Sequence, residues 1–368
     1  MKGLRILHVV YSLNIGGLER VVIDLTKGFM KKGHIVSICC LNEKGVLGEE
    51  LELEGIEMFS LGKRPGIAWN LPFRISKIIK KRHFNIIHTH NEGGLIYGAT
   101  AALIARVPNI VHTEHGKEPG YEGKRILHMV EKVLHRKVKK VVAVSNDLRD
   151  RIAESSRTNG KRIAMILNGI DVEKYYRPES RKENRILLGI GPESFVIGNV
   201  ARLVPLKNHQ FLLAVFRELL RDLPNLRMMI IGDGPLREDL ESYSRKIGIS
   251  KSVKFLGERQ DVPDLLAAFD LFVLPSLTEG TSITLLEAMA SGTPIVASRA
   301  GGNSQIIENR KTGLLLPLDK PKAWVATIKS LIVNPDKGRG LSEMAKVEVK
   351  ERFSLKAMVE NYEKIYYY

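Results

Sequence analysis

Two cations, two carboxylates and a cluster of histidines carry most of the chemistry this sequence could perform. Arg202 and Lys207 lie five residues apart, just past the apolar run FVIGNVA, with Pro205 between them to bend the chain. Curled back, that loop would turn both cations on one diphosphate: arginine brings a planar fork and lysine a compact charge, a pairing suited to a leaving pyrophosphate. The same spacing also fits two unrelated surface charges. Further on, Glu279 precedes Gly280, Thr281 and Ser282, and Ser282 is placed to N-cap a helix over Ile283–Ala290 that Gly292 closes. The unpaired amides of that helix would point out from a strand end. Glu287 has Leu285, Leu286, Ala288 and Met289 as neighbours, which predicts a buried carboxylate in need of partners. Carboxylates accept hydrogen bonds in pairs and vicinal sugar hydroxyls donate in pairs. Glu279 and Glu287 could therefore hold two sugars flanking a diphosphate.

The other candidates lie in the first half. Gly16 and Gly17, followed by Leu18, Glu19 and Arg20, form a strand-to-helix turn that lets backbone approach a ligand and offers helix amides to an anion. The turn carries neither a GxGxxG fingerprint nor a Walker lysine, and a purely steric need for glycine would produce the same residues. His88, His90, His112 and His115 end two neighbouring strands, which places them at a cleft edge; His115, in Thr113-Glu114-His115-Gly116, is the one expected to hydrogen-bond substrate. Strand geometry puts only His88 and His90 on one face, too few convergent ligands for zinc, so no metal is expected. His83 and His135 fall in basic runs and are expected to be solvated. GDGPLREDLE (232–241) looks like a phosphate loop, but Asp233 would repel phosphate, and a strand-to-helix turn is the preferred reading.

These residues must be held by regular elements, and the pattern for them is legible. Short β-rich runs at 4–10, 34–41, 84–90, 109–115, 139–145 and 162–169 alternate with helical patterns at 18–31, 70–82 and 94–107. After a polar stretch, Tyr175–Asn184, that reads as a linker, the alternation restarts with strands at 195–201, 226–232, 253–257, 270–276 and 293–298. Continuous apolar strands between helices indicate parallel sheets covered on both faces. The expected fold is α/β, with two doubly wound, Rossmann-like domains at 1–175 and 176–351 and a terminal helix, about 352–368, able to return to the first. Such sheets bind ligands at their strand carboxyl ends.

Composition narrows the classes. With 368 residues, 44% hydrophobic and 27% charged, two globular domains are the default. No segment approaches the roughly 20 apolar residues of a membrane span, and the start reads as strand and loop, so a cytoplasmic protein is expected. Adjacent Cys39 and Cys40 supply neither a disulfide framework nor a zinc site. The net charge of +16 is uneven: residues 1–175 carry 29 basic and 18 acidic side chains. Such a bias suits an anionic membrane face or acidic substrate. WNLPFRISK (69–77) could lie on anionic lipid as a basic amphipathic helix, although the same helix has a sheet to cover. Without an aromatic basic sheet, zinc knuckle or helix-turn-helix signature, no nucleic-acid partner is expected.

Taken in order, Gly16-Gly17-x-Glu19, Thr113-x-His115, Asn168-Gly169-Ile170-Asp171, Arg202 with Lys207, and Glu279-x7-Glu287 resemble the retaining glycosyltransferases of family 4 over nearly the whole chain. The resemblance implies the GT-B fold, with two Rossmann-like domains facing across a cleft, the acceptor on the first and the nucleotide sugar on the second. It implies that Arg202 and Lys207 bind the donor diphosphate, that Glu287 holds the ribose, and that Glu279 contacts the transferred sugar beside the amides of Gly280, Thr281, Ser282 and Ile283. Gly16 and Gly17 would approach the donor from the other wall. His115 would contact sugar, with Gly116 standing where many relatives have aspartate. His90, Asn91 and Glu19 are the acceptor-side candidates. The activity implied is metal- and cofactor-independent hexosyl transfer with retention, most often from a UDP-sugar, to a glycan or lipid-linked acceptor in cell-surface polysaccharide or glycolipid synthesis; the basic first half adds the expectation of peripheral contact with the inner membrane face. A nucleotide-sugar epimerase, a phosphorylase, or a non-catalytic nucleotide-sugar or nucleic-acid binder could share the architecture.

Overall fold

The computed structural model describes residues 3–14, 16–116, 125–156 and 162–367. The chain divides into two units, one of residues 1–169 with Leu355–Tyr368 and the other Ile170–Ser354. The expected boundary at 175 lies inside the second unit.

The first unit is built on strands β1 (Arg5–Val10), β2 (Ile35–Cys40), β3 (Glu57–Ser60), β4 (Ile86–His90), β5 (Ile110–Glu114), β6 (Lys140–Ala143) and β7 (Ile163–Met165), all parallel, in the order β3-β2-β1-β4-β5-β6-β7. Helices α1 (Gly17–Lys31), α2 (Val46–Leu53), α3 (Leu71–Arg82), α4 (Asn91–Gly94), α5 (Thr100–Ala105), α6 (Arg125–Lys137) and α7 (Asn146–Ser156) connect them. The central strands are buried almost end to end because helices cover both faces. The helix expected over 94–107 is broken: α4 passes through a π-helical stretch, Leu95–Ala99, before α5. The distortion follows a close approach, since a Cβ on Gly94 would lie 2.7 Å from the Val9 carbonyl oxygen and one on Gly98 2.8 Å from the Thr89 methyl. β3 and α2 were not anticipated; β3 is a four-residue edge strand without a continuous apolar run.

The second unit carries β8 (Phe195–Val200), β9 (Leu226–Ile231), β10 (Val253–Phe255), β11 (Leu271–Leu274), β12 (Ile295–Ser298) and β13 (Leu314–Leu316), ordered β10-β9-β8-β11-β12-β13. Its helices are α8 (Arg181–Leu187), α9 (His209–Asp222), α10 (Arg237–Lys246), α11 (Val262–Ala267), α12 (Ile283–Ser291), α13 (Asn303–Ile306), α14 (Pro321–Val333) and α15 (Pro335–Arg352). This is the Rossmann strand order, reversing direction between β8 and β11 just as the first sheet does between β1 and β4. The stretch expected to be a linker is not one. Within it Arg177 pairs with Asp264 at 3.1 Å and Arg181 donates to the Ala267 carbonyl at 2.9 Å, and just beyond it Arg185 donates to Asp270 at 3.0 Å, so these charges anchor 3-10 turns and α8 to the domain. The short β13, with only three residues, was also not anticipated.

The terminal helix α16 (Leu355–Tyr367) belongs to the first unit. It buries Met358, Val359, Tyr362, Ile365 and Tyr366, one helical face. Gly28 of α1 makes room for it, since a Cβ there would lie 2.4 Å from a Val359 methyl. Glu363 pairs with Lys32 and accepts from His34 at 3.0 Å, clamping the helix against the end of α1.

Candidate functional site

In the second unit the expected residues lie on the loops after β8 and β11 and on α12, and among them Lys207 and Glu279 are brought into contact. The loop after β8 holds Arg202, exposed, and Lys207, closing a 3-10 turn that Pro205 opens. Lys207 Nζ donates to Glu279 Oε1 at 2.6 Å, a charge-assisted bond with Glu279 only 8% exposed. The Leu277 amide donates to the Leu206 carbonyl at 2.8 Å, so the loops after β8 and β11 are tied by backbone as well. A third loop locks beneath them. The Gly302 amide donates to the Glu279 carbonyl at 2.8 Å, and Cβ atoms on Gly301 and Gly302 would meet the Glu279 and Gly280 carbonyl oxygens at 2.3 and 1.7 Å. Only glycine permits that contact.

Gly280, Thr281 and Ser282 lead into α12, whose residues are apolar nearly all round and which is therefore an interior helix. Gly292 ends it in the left-handed conformation at φ 77°. Ser282 occupies the N-cap position but its side chain does not cap: its hydroxyl meets Thr284 Oγ1 at 3.2 Å, which leaves the role expected of it to the backbone. Glu287 is fully buried, as its apolar neighbours required, and accepts the Tyr175 hydroxyl at 2.8 Å. In the sequence Tyr175 is only the edge of a polar stretch, with nothing to mark it as a partner of Glu287. Ser276 and Asn303 were missed too. Ser276 Oγ and Asn303 Oδ1 are buried and meet no partner among the described residues, while Asn303 Nδ2 donates to the Ser298 carbonyl at 3.1 Å and the Ser298 hydroxyl to the Ser276 backbone carbonyl at 2.6 Å. The available signal was a small polar residue just past β11 and another opening the helix after β12.

Asp233 turns away from any anion role. It accepts the Gly234 amide at 2.7 Å and the Arg237 guanidinium at 2.7 Å. Gly232 and Gly234 serve packing instead, because Cβ atoms there would lie 2.1 and 2.6 Å from the Ala201 and Leu203 carbonyl oxygens.

In the first unit, Gly16 is the extended N-cap residue of α1 and Gly17 its first residue. A Cβ on Gly16 would lie 2.2 Å from Glu19 Oε2, so the Glu19 carboxylate folds back over the helix start. Asn91, in the left-handed region at φ 52°, accepts the His115 backbone amide at 2.8 Å and joins the ends of β4 and β5.

The histidines divide between the two faces of the sheet. His88 and His112 are not at an edge, since both have zero exposure. On one face, His8 of β1 lies in register with His88 of β4. His88 contacts the Tyr366 hydroxyl at 2.6 Å and Thr113 Oγ1 at 2.7 Å, beneath α16. His8 Nδ1 meets His90 Nε2 at 2.9 Å, and His90 Nδ1 meets His115 Nε2 at 3.0 Å. Burial holds His8 and His115 down to about 3 and His90 well below its ordinary value, so all three are neutral. His8 was missed; its polar ring inside an apolar strand was the signal. On the other face, His112 meets Thr89 Oγ1 at 3.0 Å and Glu114 Oε2 at 3.2 Å, and burial lifts the Glu114 carboxyl to about 7. His135 is buried rather than solvated, packed edge-on to His112 with Glu131 at 3.4 Å; α6 turns it inward. His83 is exposed. Nitrogens of His8, His88 and His90 lie within 4.8 Å of one another, a grouping that pattern within β4 and β5 does not hold because its third ring comes from β1.

The family described as Glycosyl transferases group 1 matches residues 180–348, and the one described as Glycosyltransferase Family 4 matches residues 15–174. The chain is 28% identical over 335 residues to the UDP-Gal:alpha-D-GlcNAc-diphosphoundecaprenol alpha-1,3-galactosyltransferase of Escherichia coli, covering 88% of this chain and 86% of the relative. It is 27% identical over 347 residues to the alpha-monoglucosyldiacylglycerol synthase of Streptococcus pneumoniae, covering 89% and 77%. Its fold matches the crystal structure of HepE from Anabaena in complex with UDP and glucose at a TM-score of 0.86, with 24% identity and 98% of each chain covered.

Proposed function

Because this chain belongs to the group 1, family 4 glycosyltransferases of GT-B fold, we propose that it transfers a hexose from a UDP-sugar, with retention and without a metal, to a lipid-linked glycan or glycolipid hydroxyl. The observation that carries this reading is the three-loop assembly of the second unit, in which Lys207 and Glu279 meet at the mouth of α12. There Arg202, Lys207 and the amides of Gly280–Ser282 supply positive potential for a diphosphate, and the buried Glu287, oriented by Tyr175, supplies a pair of acceptor oxygens for a ribose diol. The E. coli relative's name supplies the UDP-sugar and the diphosphoundecaprenol-linked acceptor, and the S. pneumoniae relative's name a diacylglycerol product.

In the mechanism, charge grows on the leaving diphosphate as the anomeric carbon becomes oxocarbenium-like. Arg202, Lys207 and the α12 amides meet that charge, Lys207 from its seat on Glu279. The acceptor hydroxyl attacks on the face the diphosphate leaves, and a diphosphate oxygen takes its proton. In the first unit, His115 offers a ring nitrogen to a sugar hydroxyl.

Thermal unfolding against UDP, GDP, ADP and TDP, repeated with Glu287→Ala, tests the donor assignment. A ligand at a hundred times its dissociation constant adds about 2.7 kcal/mol. UDP should raise the wild-type midpoint and leave the variant's unmoved; a response to no nucleotide would reject a donor site here.

The acceptor reading extends to a membrane surface. Trp69 and Phe73 are 75% and 60% exposed at the start of α3, and Lys77, Lys80 and Lys81 follow on the same helix. Exposed rings beside lysines suit the interface of an anionic bilayer. Flotation with anionic vesicles at low and high salt tests it, and indifference to lipid charge would reject it.

A further inference from the structure

His8, His90 and His115 form a continuous line of imidazoles running from the interior of β1, past the end of β4, to the end of β5. Neighbouring ring centroids are 5.2 and 5.3 Å apart. His90 spends both of its nitrogens on the line. The two end nitrogens, His8 Nε2 and His115 Nδ1, are buried and meet no partner among the described residues. Around the inner end stand Phe29, His88 and, on α16, Tyr362 and Tyr366; none of them carries a charge that would pull a proton onto His8.

A neutral imidazole has one N–H and one lone pair. At each contact along the line one ring must donate and the other accept, so the choice at one ring dictates the next. If His8 donates from Nδ1, His90 accepts on Nε2, carries its proton on Nδ1 and donates to His115 Nε2, which leaves the His115 proton on Nδ1. If the line runs the other way, every ring carries its proton on Nε2 and His115 Nδ1 is a bare lone pair. Passing from the first arrangement to the second hands one proton along each contact, releases one from His115 Nδ1 at the outer end and requires one on His8 Nε2 at the inner end, so the three rings hold three protons in both. A mixed arrangement places two lone pairs or two protons face to face in the interior, where no water relieves them.

We propose that His8 and His90 are positioning residues that act as one tautomeric unit with His115, so that a proton held in the interior of the first domain decides whether His115 meets a sugar hydroxyl as donor or as acceptor. The proposal rests on the reading of His115 as a sugar-contacting residue, and it gives His90, an acceptor-side candidate whose two ring nitrogens are taken by its neighbours, and the interior His8 a part in that role through His115. It also accounts for His8, a fully buried polar ring in a strand otherwise made for the core. The grouping with His88 follows a different logic: His88 is held by two hydroxyls, from Thr113 and Tyr366, and stands beside the line without joining it.

The test is long-range proton–nitrogen NMR on the full-length protein labelled with 15N in its histidine rings, assigned with His8→Asn, His90→Gln and His115→Gln. In wild type the three rings should show one common tautomer, all Nδ1–H or all Nε2–H. His8→Leu, which deletes the inner partner, should leave the His115 nitrogens split or exchanging. His8→Asn, which keeps a polar group where Nδ1 stood, should preserve a single state and serves as the folded control should the leucine variant fail to fold. In transfer from UDP-glucose or UDP-galactose, His8→Leu should lower kcat roughly tenfold to a hundredfold, by analogy with losing the hydrogen-bond partner that orients a metal-bound histidine. The melting shift with UDP should not change. Mixed tautomers in folded wild type, a His115 signal indifferent to His8→Leu, or zinc bound stoichiometrically through these rings would each overturn the proposal. The spectra decide it whether or not either sugar is turned over; absent turnover counts against the donor assignment alone.

Discussion

Mild acid should destabilise the first unit, and by an amount that follows from its buried histidines. His8, His112 and His115 are held to about 3 by burial, against an ordinary value of 6.5. A histidine depressed in the folded state contributes stability that is complete above 6.5 and is lost as pH falls toward the folded value. At pH 5 each has lost one and a half pH units of linkage, about 2 kcal/mol, so the three together lose about 6 kcal/mol. Glu114 works the other way. Its carboxyl is raised from 4.5 to about 7 by desolvation, with Glu131 adding and His135 and Arg151 subtracting, so its stabilising proton is present at low pH and lost as pH rises through 7. Going from pH 7.5 to 5 it returns about 3 kcal/mol. The net loss is about 3 kcal/mol, and His88 and His90, both lowered, add to it. For a unit of this size that is a fall in melting temperature of about 6–12 °C. Far-UV circular dichroism should show it, while fluorescence of the buried Trp324 follows the second unit in a Trp69→Phe background. His8→Asn should flatten the pH dependence by about 2 kcal/mol. A midpoint unchanged between pH 7.5 and 5 would refute the reasoning, since the rings would then accept protons in place.

Arg202→Ala and Lys207→Ala should each lower kcat by roughly a hundredfold to a thousandfold, as removal of one preorganised charge-stabilising donor does; wild-type turnover in either would remove that residue from the diphosphate site. Tyr175→Phe should weaken UDP binding by less than Glu287→Ala, because it removes one bond to the carboxylate and leaves the carboxylate itself; isothermal titration ranks them, and the reverse order would mean that Tyr175 itself meets the nucleotide. Gly302→Ala sets a methyl 1.7 Å from the Gly280 carbonyl oxygen. It should displace the donor loop, abolish the UDP melting shift and cost about 1–3 kcal/mol of stability, whereas a normal UDP response would show that the loop has room to yield. Trp69→Ala with Phe73→Ala should release the protein from anionic vesicles without moving its melting temperature, since both rings are exposed.

The sequence by itself determined the two sheets, because long apolar strands separated by amphipathic helices admit little else, and it determined which charged residues would stand at strand ends. Glu287 was legible as a buried carboxylate from its apolar neighbours alone, and Gly292 as a helix terminator. Short edge strands such as β3 and β13 were not legible, because three or four residues carry no periodicity. Nor was the anchoring role of Arg177, Arg181 and Arg185, whose acidic partners lie 85 or more residues away and whose charges therefore read as solvated. Tertiary structure alone decided the partners: Lys207 with Glu279 across 72 residues, Tyr175 with Glu287 across 112, and His88 with Tyr366 across 278. It also decided that His8 joins the histidines, because strand order in a doubly wound sheet sets β1 beside β4, and two residues 80 positions apart become neighbours on one face. Local pattern records which face of an element is buried; it holds no record of what is buried against it.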